Sequence, residues 1–332
     1  MDGPVQPSIS AQQPLFLQLH DPHSAQLATE LADGLLADTA CISPKFFYDS
    51  LGSRLFNAIT CLPEYAATRA ETTLLLNARD DIAMEVGLGC TLIDLGAGDC
   101  AKAALLFDAL RPSHYIAVDI SVDHLQASVA ALQRQHTTID MIGLGLDFST
   151  RFTLPNGIAG SRRLVFYPGS SIGNFVPSEA LRFLRDVRTC CASGLGLLIG
   201  FDLAKDKARL DAAYDDALRV TAAFNRNVLL HANRLLNADF DLRDWKHVAF
   251  YAPERMRVEM HLEARRDLEV RWGAGKGMVR RFARGERIHT ENSYKYRLDD
   301  ARELLFEAGF GALRVWTDDE AAYALILARP MQ

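Results

Sequence analysis

The stretch Thr91-Leu-Ile-Asp-Leu-Gly-Ala-Gly-Asp-Cys100 constrains the chain more than any other. Residues 92–95 form a short apolar run that reads as a buried strand. The run breaks at Gly96 and Gly98, and residues 102–110 resume with helical spacing. A strand, a glycine turn and a helix start make a nucleotide-type site, because glycine lets the backbone approach a ligand and a helix N-terminus offers free N–H groups. Two kinds of cofactor fit such a turn. With Ala101 the stretch meets a loose G-x-G-x-x-A dinucleotide pattern. A pyrophosphate, however, wants N–H groups without anions nearby, and Asp94 and Asp99 flank this turn. S-adenosylmethionine carries no phosphate and brings an ammonium and a sulfonium, both suited to carboxylates at a strand end. The following run, His114-Tyr-Ile-Ala-Val-Asp119, reads as the next strand and ends in a carboxylate placed for two ribose hydroxyls.

From there strands and helices alternate: strand 116–118, helix 122–135, strand 143–146 ending at Asp147-Phe148, strand 163–167, helix 177–187, and strand 196–201 ending at Asp202. Such alternation specifies an α/β fold with a parallel, Rossmann-like sheet covered by helices. Ligands of open sheets lie beyond the carboxyl ends of the strands, so Asp94, Asp119, Asp147, Asn174 and Asp202 are expected to converge. The rhythm then breaks. Residues 205–236 read as one long helical region, and 247–251, 256–263 and 268–272 as an antiparallel meander. Val258, Met260 and Leu262 share one strand face, where a methionine is by default core. A helix at 299–308 and a strand pair at 312–317 and 323–328 close the chain. Before the glycine turn, residues 1–14 read as a tail, 24–36 and 68–83 as helices, and 43–69 as a stretch dense in aromatics and turn residues. The expected organisation is a cofactor domain of 69–202 and 294–332, an inserted α+β substrate domain of 203–293, and an N-terminal segment, 1–68, contributing to the latter.

Length and composition agree with an enzyme of this type. The chain has 332 residues, 49% of them hydrophobic, and a net charge of −6 with dispersed Lys and Arg, which argues against nucleic acid as a partner. Six cysteines without metal-ligand spacing read as reduced thiols, and no apolar run is long enough to span a membrane. A soluble, cytoplasmic, monomeric protein without a metal is expected.

Several separated blocks carry a resemblance: Lys45-Phe-Phe-Tyr-Asp with Gly52-Ser, Leu62-Pro-Glu-Tyr with Thr68-Arg69, Asp94-Leu-Gly-Ala-Gly, Tyr167-Pro-Gly-Ser-Ser-Ile-Gly-Asn174, Ala213-Tyr-Asp-Asp216, Phe224-Asn-Arg-Asn227 and Thr290-Glu-Asn-Ser293. In this order, from about Ser43 to the C-terminus, the chain resembles the histidine-specific methyltransferase family. The resemblance implies a class I S-adenosylmethionine-dependent methyltransferase sheet. It also implies that Gly96, Gly98, Lys102 and Asp119 hold S-adenosylmethionine, with Asp147 and Phe148 at the adenine and S-adenosylhomocysteine as the product. Tyr65, Asn174 and Tyr214 would hold the polar end of an amino-acid substrate, and Glu291 and Ser293 would read its imidazole beside Met260. Tyr48 would lie near the reacting amine as the catalytic residue. The implied reaction is methylation of the α-amine of L-histidine, in three transfers, on the way to ergothioneine. Another aromatic amino acid as substrate, or a non-catalytic sensor of S-adenosylmethionine, are the alternatives. Ala66-Ala67, His289 and Asn292 depart from the family pattern, at the loop and pocket edge rather than at the cofactor turn.

Overall fold

The computed structural model describes residues 13–19, 25–149, 151–155, 157–158, 160, 162–191, 194–273 and 277–331. Its elements are β1 (Leu15–Gln18), α1 (Ala25–Leu36), α2 (Ser50–Thr60), α3 (Ala66–Val86), β2 (Thr91–Leu95), α4 (Ala101–Ala104), α5 (Phe107–Leu110), β3 (His114–Asp119), α6 (Val122–Gln135), β4 (Asp140–Gly145), β5 (Arg163–Tyr167), α7 (Pro177–Cys191) and β6 (Gly196–Asp202). They are followed by α8 (Lys207–Tyr214), α9 (Val220–Leu236), β7 (Trp245–Ala252), β8 (Arg257–Ala264), β9 (Leu268–Trp272), β10 (Met278–Phe282), β11 (Arg287–Tyr294), α10 (Leu298–Glu307), β12 (Phe310–Thr317) and β13 (Tyr323–Pro330).

The central sheet has the order β1-β4-β3-β2-β5-β6-β13-β12. Strands β1 to β6 are parallel to their neighbours, and β13 runs antiparallel to both β6 and β12. The chain goes outward from β2 through β3 to β4, then returns to β5 on the other side of β2. Strand order reverses there, which opens a crevice beyond the carboxyl ends of β2 and β5. This is the Rossmann-like α/β sheet expected from the sequence. All five residues of β2 are buried, as a parallel strand covered on both faces requires. One apolar layer joins Leu92, Tyr115 and Leu198 to α3, α5 and α6, and the other joins Ile93, Ile116 and Ile199 to α7 and α10. A separate core packs α1, α2 and α9 against the three-stranded sheet β11-β8-β7 and the β9–β10 hairpin. Among the described residues no helix is long and apolar enough to cross a membrane.

Four local readings differ. Of the expected tail, residues 1–12 lie outside the described residues, and directly after it β1 extends the sheet as a short, largely exposed edge strand on β4. The segment 1–68 therefore divides, with 15–18 on the large sheet and Leu27 to Leu62 in the core of the inserted elements. The helix read over 102–110 is split into α4 and α5 by a tighter turn, in which Leu105 and Leu106 donate to Lys102 O and Ala103 O three residues back. The long region 205–236 is two helices, because the Asp216 carboxylate accepts the N–H groups of Val220 and Thr221 at 2.9 and 2.8 Å and starts α9 afresh. The meander stops after β8, which pairs with β11, while β9 pairs with β10, whose mostly exposed Met-Val-Arg-Arg-Phe sequence lacks the alternation that would mark it.

Candidate active site

A cavity of about 570 Å³ opens at the crevice, lined by Asp94, Gly96, Gly98, Lys102, Asp119, Asp147 and Phe148 from the sheet side and by Lys45, Tyr48 and Ser53 from the segment before α3. A smaller chamber of about 50 Å³ adjoins it, shares Tyr48, Tyr65 and Asn174 with it, and is lined further by Asp202, Tyr214, Met260, Glu291, Ser293 and Lys295. Every site residue singled out from the sequence lines one of these two spaces.

Gly96 and Gly98 stand at φ +71° and +54°, in the left-handed region that glycine adopts without strain. The turn is anchored to β3 by Gly96 N–H donating to Val118 O at 2.8 Å. The Asp119 carboxylate is fixed by N–H groups of Gly98 and Ser121, both at 2.9 Å, and burial pushes its pKa up. Asp94 accepts the Tyr115 hydroxyl at 2.8 Å, and burial raises its pKa to about 7. Its other oxygen is buried without a hydrogen-bond partner. Lys102 meets the fully buried Glu71 at 2.5 Å. Asp147 accepts Ser149 N–H and the Lys45 ammonium, each at 2.9 Å. Burial works against its charge, but these bonds outweigh it and hold its pKa below the usual range. Phe148 packs on Phe183 with centroids 5.7 Å apart.

The chamber depends on one irregularity in β11. Ile288 lies opposite Leu262, but the register then shifts, and Glu291 lies opposite Met260 and Ser293 opposite Val258. Thr290 is the extra residue, and its hydroxyl donates to Met260 O at 3.0 Å. The bulge reverses the parity of the strand, so that Glu291, Ser293 and Lys295 turn to the same buried face as Met260. Glu291 is 7% exposed, and burial raises its pKa to about 7 against the opposing pull of Lys295. Tyr214 Oη donates to Ser293 Oγ at 2.7 Å. Lys295 Nζ donates to both, at 2.9 Å each, and meets Asp202 at 2.8 Å. Burial opposes the Lys295 charge, yet Asp202 outweighs it and raises the pKa above an ordinary lysine's.

The aromatic blocks frame this chamber. Phe224 stacks on Phe47 at 4.6 Å and meets Tyr48 edge-on at 6.0 Å. Asn227 donates to Asp49 Oδ1 at 2.7 Å, the same oxygen that caps α2 through Gly52 N–H. Arg69 donates to Leu62 O at 2.6 Å and to Pro63 O at 2.5 Å, fixing the loop that carries Tyr65. Burial raises the pKa of Tyr48, Tyr65 and Tyr214 alike, so all three remain phenols. Among the described residues no group of three His, Cys, Asp or Glu side chains is arranged to hold a metal ion.

A family model described as histidine-specific methyltransferase, SAM-dependent, matches residues 27–330. The chain belongs to this methyltransferase family. The histidine N-alpha-methyltransferases of Mycolicibacterium smegmatis and Mycobacterium tuberculosis are each 39% identical to it, over 93% of this chain and 96% of the first, and 91% of this chain and 94% of the second. Ergothioneine biosynthesis protein 1 of Schizosaccharomyces pombe is 30% identical over 83% of this chain and 37% of its own length. The cofactor of this methyltransferase is therefore S-adenosylmethionine. The larger cavity fits it, having the volume of a small-molecule site, a glycine turn with no side chain at Gly98 to fill it, and a buried Asp94 oxygen that lacks a partner.

Two residues escaped the sequence reading. Lys295 continues the i, i+2 spacing of Glu291 and Ser293 and was legible once the strand face was known. Glu71 occupies a position of the α3 stripe that is otherwise apolar, with Leu74, Leu75, Ala78 and Ile82. An acid in such a stripe was the available signal.

Proposed function

We propose that this methyltransferase transfers methyl groups from S-adenosylmethionine to the α-amine of L-histidine, three times in succession, giving Nα,Nα,Nα-trimethyl-L-histidine and S-adenosylhomocysteine as a first step toward ergothioneine. The observation that carries this reading is the pair Glu291 and Ser293, brought by the bulge of β11 to the apolar face beside Met260, in a chamber that adjoins the cofactor cleft. An imidazole offers a ring N–H and a ring acceptor together, which a carboxylate and a hydroxyl match. Met260 supplies an apolar contact for the ring.

Tyr65 and Asn174 line both spaces and suit the α-amine and carboxylate at their junction. Tyr214, expected with them at the polar end, lines the chamber and donates its hydroxyl to Ser293, and so stands behind the imidazole reader. In the cleft, Gly96, Gly98, Lys102 and Asp119 hold the cofactor, with Asp147 and Phe148 at its adenine. Bound S-adenosylmethionine supplies a methyl group activated by a sulfonium. What this chain contributes is positioning, which by itself accounts for large accelerations. Tyr48 keeps its own proton, so its oxygen orients the neutral amine by accepting a hydrogen bond in the first two transfers; the dimethylated amine of the third has no N–H left to give and is held by the chamber's walls. The α-amine of a free amino acid, whose carboxylate lifts its pKa above the value near 8 of a peptide's α-amino group, gives its proton to water before the transfer. The free cysteines among the described residues suit a reducing, cytoplasmic setting.

The test is mass spectrometry of L-histidine incubated with the purified protein and S-adenosylmethionine, with fragmentation to locate the added groups. Mono-, di- and trimethylated species in sequence, all modified on the α-nitrogen, are expected. Methylation of the ring, or of no atom of histidine, overturns the reading.

A further inference from the structure

The hydrogen bonds around Lys295 form a closed set. Its ammonium has three N–H groups to give, and they go to Asp202 Oδ2 at 2.8 Å, Tyr214 Oη at 2.9 Å and Ser293 Oγ at 2.9 Å. The single proton of Tyr214 Oη also goes to Ser293 Oγ, at 2.7 Å. A hydroxyl oxygen accepts two hydrogen bonds and donates one. Both acceptor positions of Ser293 are thus filled, and only its own O–H remains for the chamber that it lines with Glu291.

Resting on the histidine reading above, we infer that Lys295 is a specificity-determining positioning residue that makes the chamber select neutral imidazole. One ring nitrogen donates to Glu291 and the other receives the Ser293 hydroxyl. An imidazolium would bring a second N–H to an oxygen with no acceptor position left, and an unmatched buried donor is costly. Without Lys295, Ser293 would be free to accept and the chamber would take either form of the ring.

The ionisable groups that face the ring are Tyr48 and Tyr65 from the segment before α3, Asp202 from β6, Tyr214 from α8, and Glu291 and Lys295 from β11. The tyrosines stay protonated, and Asp202 and Lys295 hold each other charged. Glu291 titrates near neutrality, at about 7, so its proton has to be separated from that of the substrate.

A triazole analogue makes the separation. Triazolylalanine keeps a ring N–H and a ring acceptor but stays unprotonated between about pH 5 and 8, the range in which imidazole gains its charge. KM is measured for L-histidine and for triazolylalanine across that range, and their ratio cancels the titration of Glu291 and of the α-amine. The ratio is expected to be flat above the imidazole pKa and to rise about tenfold per pH unit below it, with the break near 6.5. A ratio that stays flat or falls toward low pH overturns the inference and leaves the histidine reading standing. No methyl transfer to histidine at any pH overturns both. In Lys295→Met, Asp202 keeps the Lys205 ammonium as its partner, and one acceptor position on Ser293 is freed. The low-pH rise is expected to flatten in this variant, and a rise as steep as in the unmodified protein also overturns the inference. The comparison on the unmodified protein needs no variant to fold.

Discussion

Glu291 is held in a place that costs stability. Its folded pKa of about 7 stands above the ordinary 4.5, so its contribution to stability is complete below about pH 4.5 and is lost as pH rises through about 7. At about pH 8 the unliganded protein therefore carries a penalty on the order of 3 kcal/mol. Glu291→Gln is expected to raise the melting temperature at pH ~8 and to leave it unchanged near pH ~4, while raising the histidine KM by about 10- to 100-fold through loss of a charged hydrogen bond. Equal melting shifts at both pH values would contradict this. At Tyr48 the expected outcome is different in kind. Tyr48→Phe should lower kcat by roughly tenfold and leave the shape of the pH–rate profile between about pH 6 and 9 intact, because the buried phenol does not titrate there. A limb of the profile that disappears in the variant would show instead that Tyr48 takes the proton. Glu291, Ser293 and Met260 were reached by resemblance alone. By residue type, Met260 reads as core, and it is both core and chamber wall.

Among the elements, β11 is the one on which the site turns. Strict alternation from Ile288 would send Thr290 and Asn292 inward, and the bulge sends Glu291 and Ser293 there instead. No pattern in Arg287-Ile-His-Thr-Glu-Asn-Ser-Tyr marks the bulge, since the side chain that closes it bonds to the backbone of Met260, thirty positions away in sequence. Thr290→Val, which removes that bond without changing the length of the strand, should loosen the bulge and lower methyl transfer by about tenfold, yet leave S-adenosylmethionine binding, followed by calorimetry, within a few-fold of the original (less than about 1 kcal/mol). Loss of cofactor binding as well would mean that the strand supports more than the chamber. By contrast β2, β3 and their terminal carboxylates were legible from sequence because both faces of a covered parallel strand are apolar. The break between α4 and α5 and the partner of β9 were not, because local spacing does not report a three-residue turn or an exposed edge strand.

At the scale of the whole molecule, the cleft lies between the core of the large sheet and the core built on α1, α2 and α9. Lys45 ties the two sides by meeting both Glu30 on α1 and Asp147 after β4. Glu71 ties the elements around the cofactor turn. It accepts the Tyr323 hydroxyl at 2.6 Å and Gly169 N–H at 2.7 Å, and it meets Lys102 beside the glycine turn. Gly200 on β6 makes room for it, since a Cβ there would lie 2.6 Å from Glu71 Oε1. Glu71→Ala leaves these groups without their partner and is expected to cost about 3–5 kcal/mol, read as a lower urea midpoint with unchanged slope. An unchanged midpoint would show that water replaces the carboxylate.

The measurement that bears most directly on the account is a competition. All proteinogenic amino acids are mixed at equal concentration with the protein and limiting S-adenosylmethionine, and the products are resolved by mass. The account predicts that label accumulates on histidine alone and ends at the trimethylated α-amine. Methylation of a different amino acid in preference to histidine would contradict it, keeping the cofactor cleft but removing Glu291 and Ser293 from their place as readers of the imidazole.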